Sequence, residues 1–162
     1  MKKQILEWLD DDDREYDLDE HPRLNWLIQL KHGGRVILLG NPKDYPKRLE
    51  VVYKLTVSGE HKQIISSMNP KTRAGFERAF IMLLSQNSVI YNIRRDDQGC
   101  PENVVIKKHL YDEDINRTLF FDTIQSLINV GMRTSVHFQS LGGVPAQDED
   151  LSSTKPGPSL YR

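Results

Sequence analysis

The segment "HGGRVILLGNPKDYPKR", residues 32–48, decides how the chain is read. Its glycines, lysines and arginines have the composition of a phosphate-binding loop. Such a loop needs a strand before the glycines and a helix after them, so that backbone amides converge on the anion. Here Gly33 and Gly34 precede the apolar run Val36 to Leu39, and Asn41-Pro42 precedes a second β-like stretch. The glycines therefore read as hairpin punctuation, supplying the positive φ angles of a tight turn. Asn41, Pro42 and Pro46 read as ladder breakers. Lys43, Lys47 and Arg48 are expected on a solvated basic loop.

Strands follow on both sides of this segment. In "LNWLIQLK" Leu24, Trp26, Ile28 and Leu30 alternate with more polar neighbours, the two-residue period of a half-buried strand. Four consecutive apolar residues, Val36 to Leu39, predict a strand covered on both faces. In "LEVVYKLTV" Leu49, Val51, Tyr53, Leu55 and Val57 alternate, and "SGEH" ends that strand. Further along, "SVIYNIRR" and "NVVIKKHLY" read as two more strands joined by the turn "DDQGCPE".

Helices frame the strands. Ile5, Leu6, Trp8 and Leu9 give residues 2–11 one apolar stripe. Asp10 to Asp13 place charge where the macrodipole disfavours it, so the helix ends there. "DDDDREYDLDEHPR" is read as a solvated connection over 12–23. Asn69-Pro70 combines a capping side chain with a proline at the first helical position, predicting a helix to about residue 86. Asp112, Glu113 and Asp114 are expected in the opening turn of a long helix over 113–141, which Gly142 would end.

The expected fold class is α+β: helix, three antiparallel strands, helix, two strands and a long helix, with a single sheet packed against helices. One domain spans 1–143. Residues 144–162 hold three prolines and little to bury, and are read as a disordered tail. This element order resembles the type III secretion chaperone fold, which recurs in uncharacterised bacterial and archaeal families. The resemblance covers roughly residues 2–142 and implies a protein-binding, often dimeric module.

Formal charge is −1 overall but unevenly spread: residues 1–23 carry −5 and residues 24–143 carry +5. With the single cysteine Cys100, neither an intrachain disulfide nor a cysteine-based zinc site is available within one chain. The N-terminal "MKKQILEWLDDDD" is unlike a secretory signal, and no apolar run reaches bilayer length. These features predict a soluble, cytoplasmic protein with no membrane partner.

The carboxylates of Asp10 to Asp13, Glu15, Asp17, Asp19 and Glu20 lack the glycine and glutamate of a calcium loop in register, so they read as a solvated acidic segment and no metal is expected. Cys100, His109 and His137 would form a nucleophilic pair or triad only by tertiary convergence, and Cys100 reads as a free surface or half-buried thiol. The sequon Asn116-Arg117-Thr118 falls in a helix start. No esterase elbow, zinc-protease or dinucleotide motif is present, so neither catalytic residues nor a cofactor are assigned.

Two binding functions remain. A protein-interaction module, expected as a homodimer, would use exposed apolar sheet positions or a strand edge, with Trp26, Ile28, Tyr53 and Leu55 as contact residues. The alternative is a nucleic-acid-binding module in which Arg94, Arg95, Lys107 and Lys108 cluster at one end of a strand hairpin. The same four charges also serve to protect a sheet edge from aggregation.

Overall fold

The structure, a computed structural model, describes residues 1–142. The tail expected over 144–162 lies outside the described residues. The chain folds in the order α1 (Lys2–Asp11), β1 (Tyr16–Asp19), β2 (Leu24–His32), β3 (Arg35–Pro42), β4 (Arg48–Thr56), α2 (Gly59–Ser67), α3 (Pro70–Ser85), β5 (Ile90–Arg95), β6 (Pro101–Tyr111) and α4 (Arg117–Gln139). All six strands form one antiparallel sheet, ordered β1-β2-β3-β4-β6-β5. The fold is α+β.

Gly33 and Gly34 make the β2–β3 turn with φ angles of 56° and 77°, the left-handed pair that a two-residue hairpin requires. Cross-strand partners share a sheet face, so the register sorts every side chain. Ile28 lies beside Leu39 and Val51, and Leu30 beside Ile37, Tyr53 and Ile106. This face joins the buried residues of the helices, among them Ile5, Leu9, Ile65, Phe80, Phe120 and Leu127, in a single core cluster. Fully burying side chains of this size contributes roughly 1.5–3 kcal/mol each. Leu27 and Val52 point the opposite way; they are buried but stand outside that cluster.

Two elements were not legible in the sequence. β1 pairs with β2 from Tyr16 opposite Leu30 to Asp19 opposite Leu27. Its acidic side chains are those of a protected edge strand, which is why it reads as a connection. Lys31 holds it through Glu15 at 2.7 Å and Asp17 at 3.2 Å. α2 follows β4 because Ser58 caps it, its Oγ accepting from the His61 amide at 3.3 Å. Only His61 and Ile65 are buried from this short helix, too few to give a periodic signal.

Both ends of α4 and the reading of two strands shift. α4 begins at Arg117, not 113, because the Asn116 side chain accepts from the Leu119 amide and caps it. Asp112 to Asp114 form the preceding turn, with the Asp114 and Ile115 amides bonded to the Tyr111 carbonyl. The helix ends at Gln139, and Gly142, at φ 83°, lies beyond it. A β-bulge between Leu24 and Trp26 breaks the alternation expected there. β3 is covered on one face rather than two, since Ile37 and Leu39 are fully buried whereas Val36 and Leu38 are half-buried.

Candidate functional site

The β3–β4 connection returns to the segment that opened the sequence reading. Asn41 is buried, and its Nδ2 donates to the carbonyls of Pro46 at 3.0 Å and Arg48 at 2.7 Å. Its Oδ1 accepts from Asn25 Nδ2 at 2.8 Å, tying the connection to β2. The Lys43 amide donates to the Arg23 carbonyl, and the Tyr45 and Arg48 amides close two tight turns on Pro42 and Tyr45. The loop is therefore a braced wall rather than a free basic segment.

Behind that wall, on the face away from the helices, lies a charged cluster. Glu50 stands opposite His109 on β6, and Lys107 is two residues along the same face. Glu50 Oε1 lies 2.8 Å from Arg48 Nη2, 3.2 Å from His109 Nε2 and 3.8 Å from Lys107 Nζ. The Glu50 side chain is 2% exposed, and among the described residues its Oε2 and the Arg48 Nε have no hydrogen-bond partner. The Arg48 guanidinium also covers the Tyr45 ring at 4.0 Å, a cation–π contact. Burial lowers the His109 pKa below its ordinary value, and Arg48 and Lys107 push the same way against the opposing pull of Glu50. These groups line a cleft of about 590 Å³, with Arg23 and Lys43 at its rim.

The residues singled out from sequence are distributed differently. Ile28, Tyr53 and Leu55 are 0–3% exposed in the helix-covered core, so as placed they present no surface to a partner. Trp26 is half-buried and packs against that core. The β5–β6 hairpin forms, but its four cations do not gather. Arg94 is opposite Asn103, while Lys107 is opposite Ile90. Four residues of strand separate those positions, about 13 Å. Arg94 pairs with Glu102 at 3.1 Å and Arg95 forks onto Glu77 at 2.8 and 2.7 Å. Lys108 points to the helix side and donates to Ser126 Oγ at 2.8 Å. Of the four, only Lys107 reaches the cleft.

Other polar candidates also separate. Cys100 is fully buried in the core rather than half-buried, with Sγ 3.8 Å from the Lys62 carbonyl. His137 stacks on Phe76 with ring centroids 4.4 Å apart, while His109 is on the opposite sheet face, so the three do not converge. The acidic N-terminal run folds back on the basic body, Asp11 meeting Arg117 at 3.2 Å. Among the described residues, no group of three or more His, Cys, Asp or Glu side chains is placed to hold a metal ion. Nor is any helix among them long and apolar enough to cross a membrane. Sequence reasoning missed Glu50 and weighed His109 only as a partner of Cys100 and His137, although a glutamate within "RLEVVYKLT" is an unusual charge on a central strand.

A sequence-family model matches residues 1–138. The chain belongs to the family described as "Uncharacterized conserved protein (DUF2299)". The match takes in every strand, both walls of the cleft and all but the last residue of α4. No curated protein matches the sequence. Among solved structures, an uncharacterized protein from Methanothermobacter thermautotrophicus superposes with a TM-score of 0.82 at 13% identity, covering 88% of this chain and 99% of its own. YbjN, a candidate transcription regulator from E. coli, is more distant, with a TM-score of 0.50 at 13% identity, covering 83% of this chain and 88% of its own. At such identities the likeness is one of fold.

Proposed function

We propose that this family member is a binding module, acting without catalysis, that receives an extended segment of a partner protein on the open face of its sheet. The supporting observation is one-sided coverage: the buried apolar residues of the helices join the core on one face, and the described residues leave the other without a helix. On that open face Val36, Leu38 and Val105 are half-buried and Ile90 is exposed, while Val52, beside Leu38, is itself buried. Lys107 stands between Val52 and Ile90 and Lys54 lies directly opposite Val105, with Gln29 and Asn92 on the flanking strands. Apolar positions interleaved with cations suit an extended partner segment in which apolar and acidic residues alternate.

The test begins with capture of the partner from a lysate of the source organism. Calorimetry with a peptide from that partner then compares variants. Leu38→Asp on the open face abolishes binding, whereas Leu18→Asp, on the helix side of β1, leaves it intact. Unchanged affinity in Leu38→Asp overturns the reading. A concentration-dependent dimer in sedimentation that dissociates in Leu38→Asp would instead assign the face to a second copy of the chain.

A nucleic-acid role is the second reading. It draws on the description of the E. coli YbjN structure and on the gathering of Lys107, Arg48 and Lys43 at one end of the open face. Heparin retention that falls steeply with salt and weakens in Lys107→Gln supports it.

A further inference from the structure

The cleft at the end of the open face has two unmet chemical needs. Arg48 and Lys107, 18% and 25% exposed, face the single carboxylate of Glu50, so positive charge is in excess inside a partly desolvated space. Lys43 adds to that excess at the rim, and Asp44 offsets part of it. Unbalanced charge held away from water is costly, and an entering anion removes the cost. The second need is opposite in sign. Glu50 Oε2 is a buried acceptor with no donor, and an unsatisfied buried carboxylate oxygen calls for an N–H or O–H.

No simple ion supplies both. Inorganic phosphate satisfies the cations and brings a second negative group toward Glu50. A neutral polyol satisfies Glu50 and leaves the cations. A molecule with a phosphate at one end and hydroxyl or amine donors a few bonds away meets both needs. The cleft, about 590 Å³, falls within the range of small-molecule sites and is much larger than a lone phosphate requires. Each carboxylate oxygen of Glu50 has more than one acceptor site, so the oxygen facing Arg48 and Lys107 can also take a ligand hydroxyl.

We propose that the cleft formed by Tyr45, Arg48, Glu50, Lys107 and His109 binds a small phosphorylated, hydroxyl-bearing molecule, with the phosphate on Arg48 and Lys107 and a hydroxyl donating to Glu50. The site shares Lys107 with the protein-docking face, and Leu38→Asp tells the two apart because Leu38 is not among the five cleft residues.

Calorimetry on the full chain with ribose 5-phosphate, inorganic phosphate, ribose and succinate tests it. Ribose 5-phosphate binds most tightly, inorganic phosphate less so, and ribose and succinate weakest. Lys107→Gln weakens ribose 5-phosphate by about tenfold or more, the loss of one charged hydrogen bond. Glu50→Gln narrows the preference for ribose 5-phosphate over inorganic phosphate. Circular dichroism confirms that each variant is folded, and Lys43→Gln at the exposed rim gives a second, milder loss if Lys107→Gln misfolds. The proposal is overturned by no heat with either phosphorylated probe, by equal affinity in wild type and both lysine variants, or by tighter binding of a single-stranded DNA oligomer.

Discussion

Gly131 of α4 lies against the ring of Tyr53 on β4, so closely that a Cβ built on the glycine would fall 2.8 Å from both Cδ1 and Cζ. Tyr53 is 1% exposed, its ring enclosed by the core. Absence of a side chain at 131 is thus what lets the helix seat on the middle of the sheet. Gly131→Ala is expected to destabilise the fold by about 1–3 kcal/mol through overpacking, less up to about 1 kcal/mol of improved helix propensity. Urea unfolding measures the change. In a double-mutant cycle, Tyr53→Leu should absorb most of the penalty, and simple additivity would disprove the contact.

The Arg48–Glu50 pair predicts an asymmetry. Glu50 is 2% exposed, whereas Arg48 keeps 18% and Lys107 25%. With Glu50→Gln the two cations turn toward water, so the cost should stay near 1–2 kcal/mol, below the usual range for breaking a buried pair. Arg48→Met strands the carboxylate and should cost about 3 kcal/mol or more. Equal midpoint shifts in urea for the two variants would contradict this ordering.

The contrast between Glu50 and the residues chosen from sequence shows where the sequence was informative. Alternation at Leu49, Val51, Tyr53 and Leu55 located β4, and Gly33-Gly34 located the hairpin, because both signals are local. Alternation also ranked Ile28, Tyr53 and Leu55 as sheet-surface positions, yet helices cover the face they share, and which face helices cover is decided by distant segments. The pairing of Glu50 with His109 depends on β4 meeting β6 across fifty-odd residues containing two helices. No spacing rule records that register. β1 was lost for a different reason: acidic edge protection and a solvated loop have the same composition.

Three histidines, His21, His109 and His137, have lowered pKa values and make stability depend on pH. Burial lowers the His137 pKa below its ordinary 6.5, a hydrogen bond donated by the imidazole to the Phe76 backbone offsetting part of the effect. His109 is lowered as well, chiefly by burial and then by Arg48. Near pH 6.5 the unfolded chain therefore binds protons that the folded chain refuses. Their contribution is fully present above about pH 6.5 and is lost as pH falls from there toward the lower folded values. The urea midpoint should drop between pH 7.5 and pH 5. His137→Phe keeps an aromatic ring against Phe76 and should flatten that dependence. An unaltered pH slope in the variant would remove His137 from the account.

Cys100 offers a probe of how firmly the helix layer is seated. It is fully buried within the core cluster, on the turn between β5 and β6. Its amide is held by Asp96 Oδ1 at 2.9 Å, and the Asp96 amide bonds in return to the Cys100 carbonyl at 2.9 Å. Arg95 fastens the same turn to α3 by forking onto Glu77 and donating to the Gly99 carbonyl at 2.9 Å. A thiol reagent reaches Cys100 only when this turn lifts from the helices, so the labelling rate reports local opening. The folded protein should react with a thiol-specific dye at least a hundredfold more slowly than the urea-unfolded chain, a ratio of about 2.7 kcal/mol or more. Glu77→Ala, which releases Arg95, should speed labelling while moving the global urea midpoint only slightly. Immediate labelling of the wild type would show that the turn is not closed over the thiol.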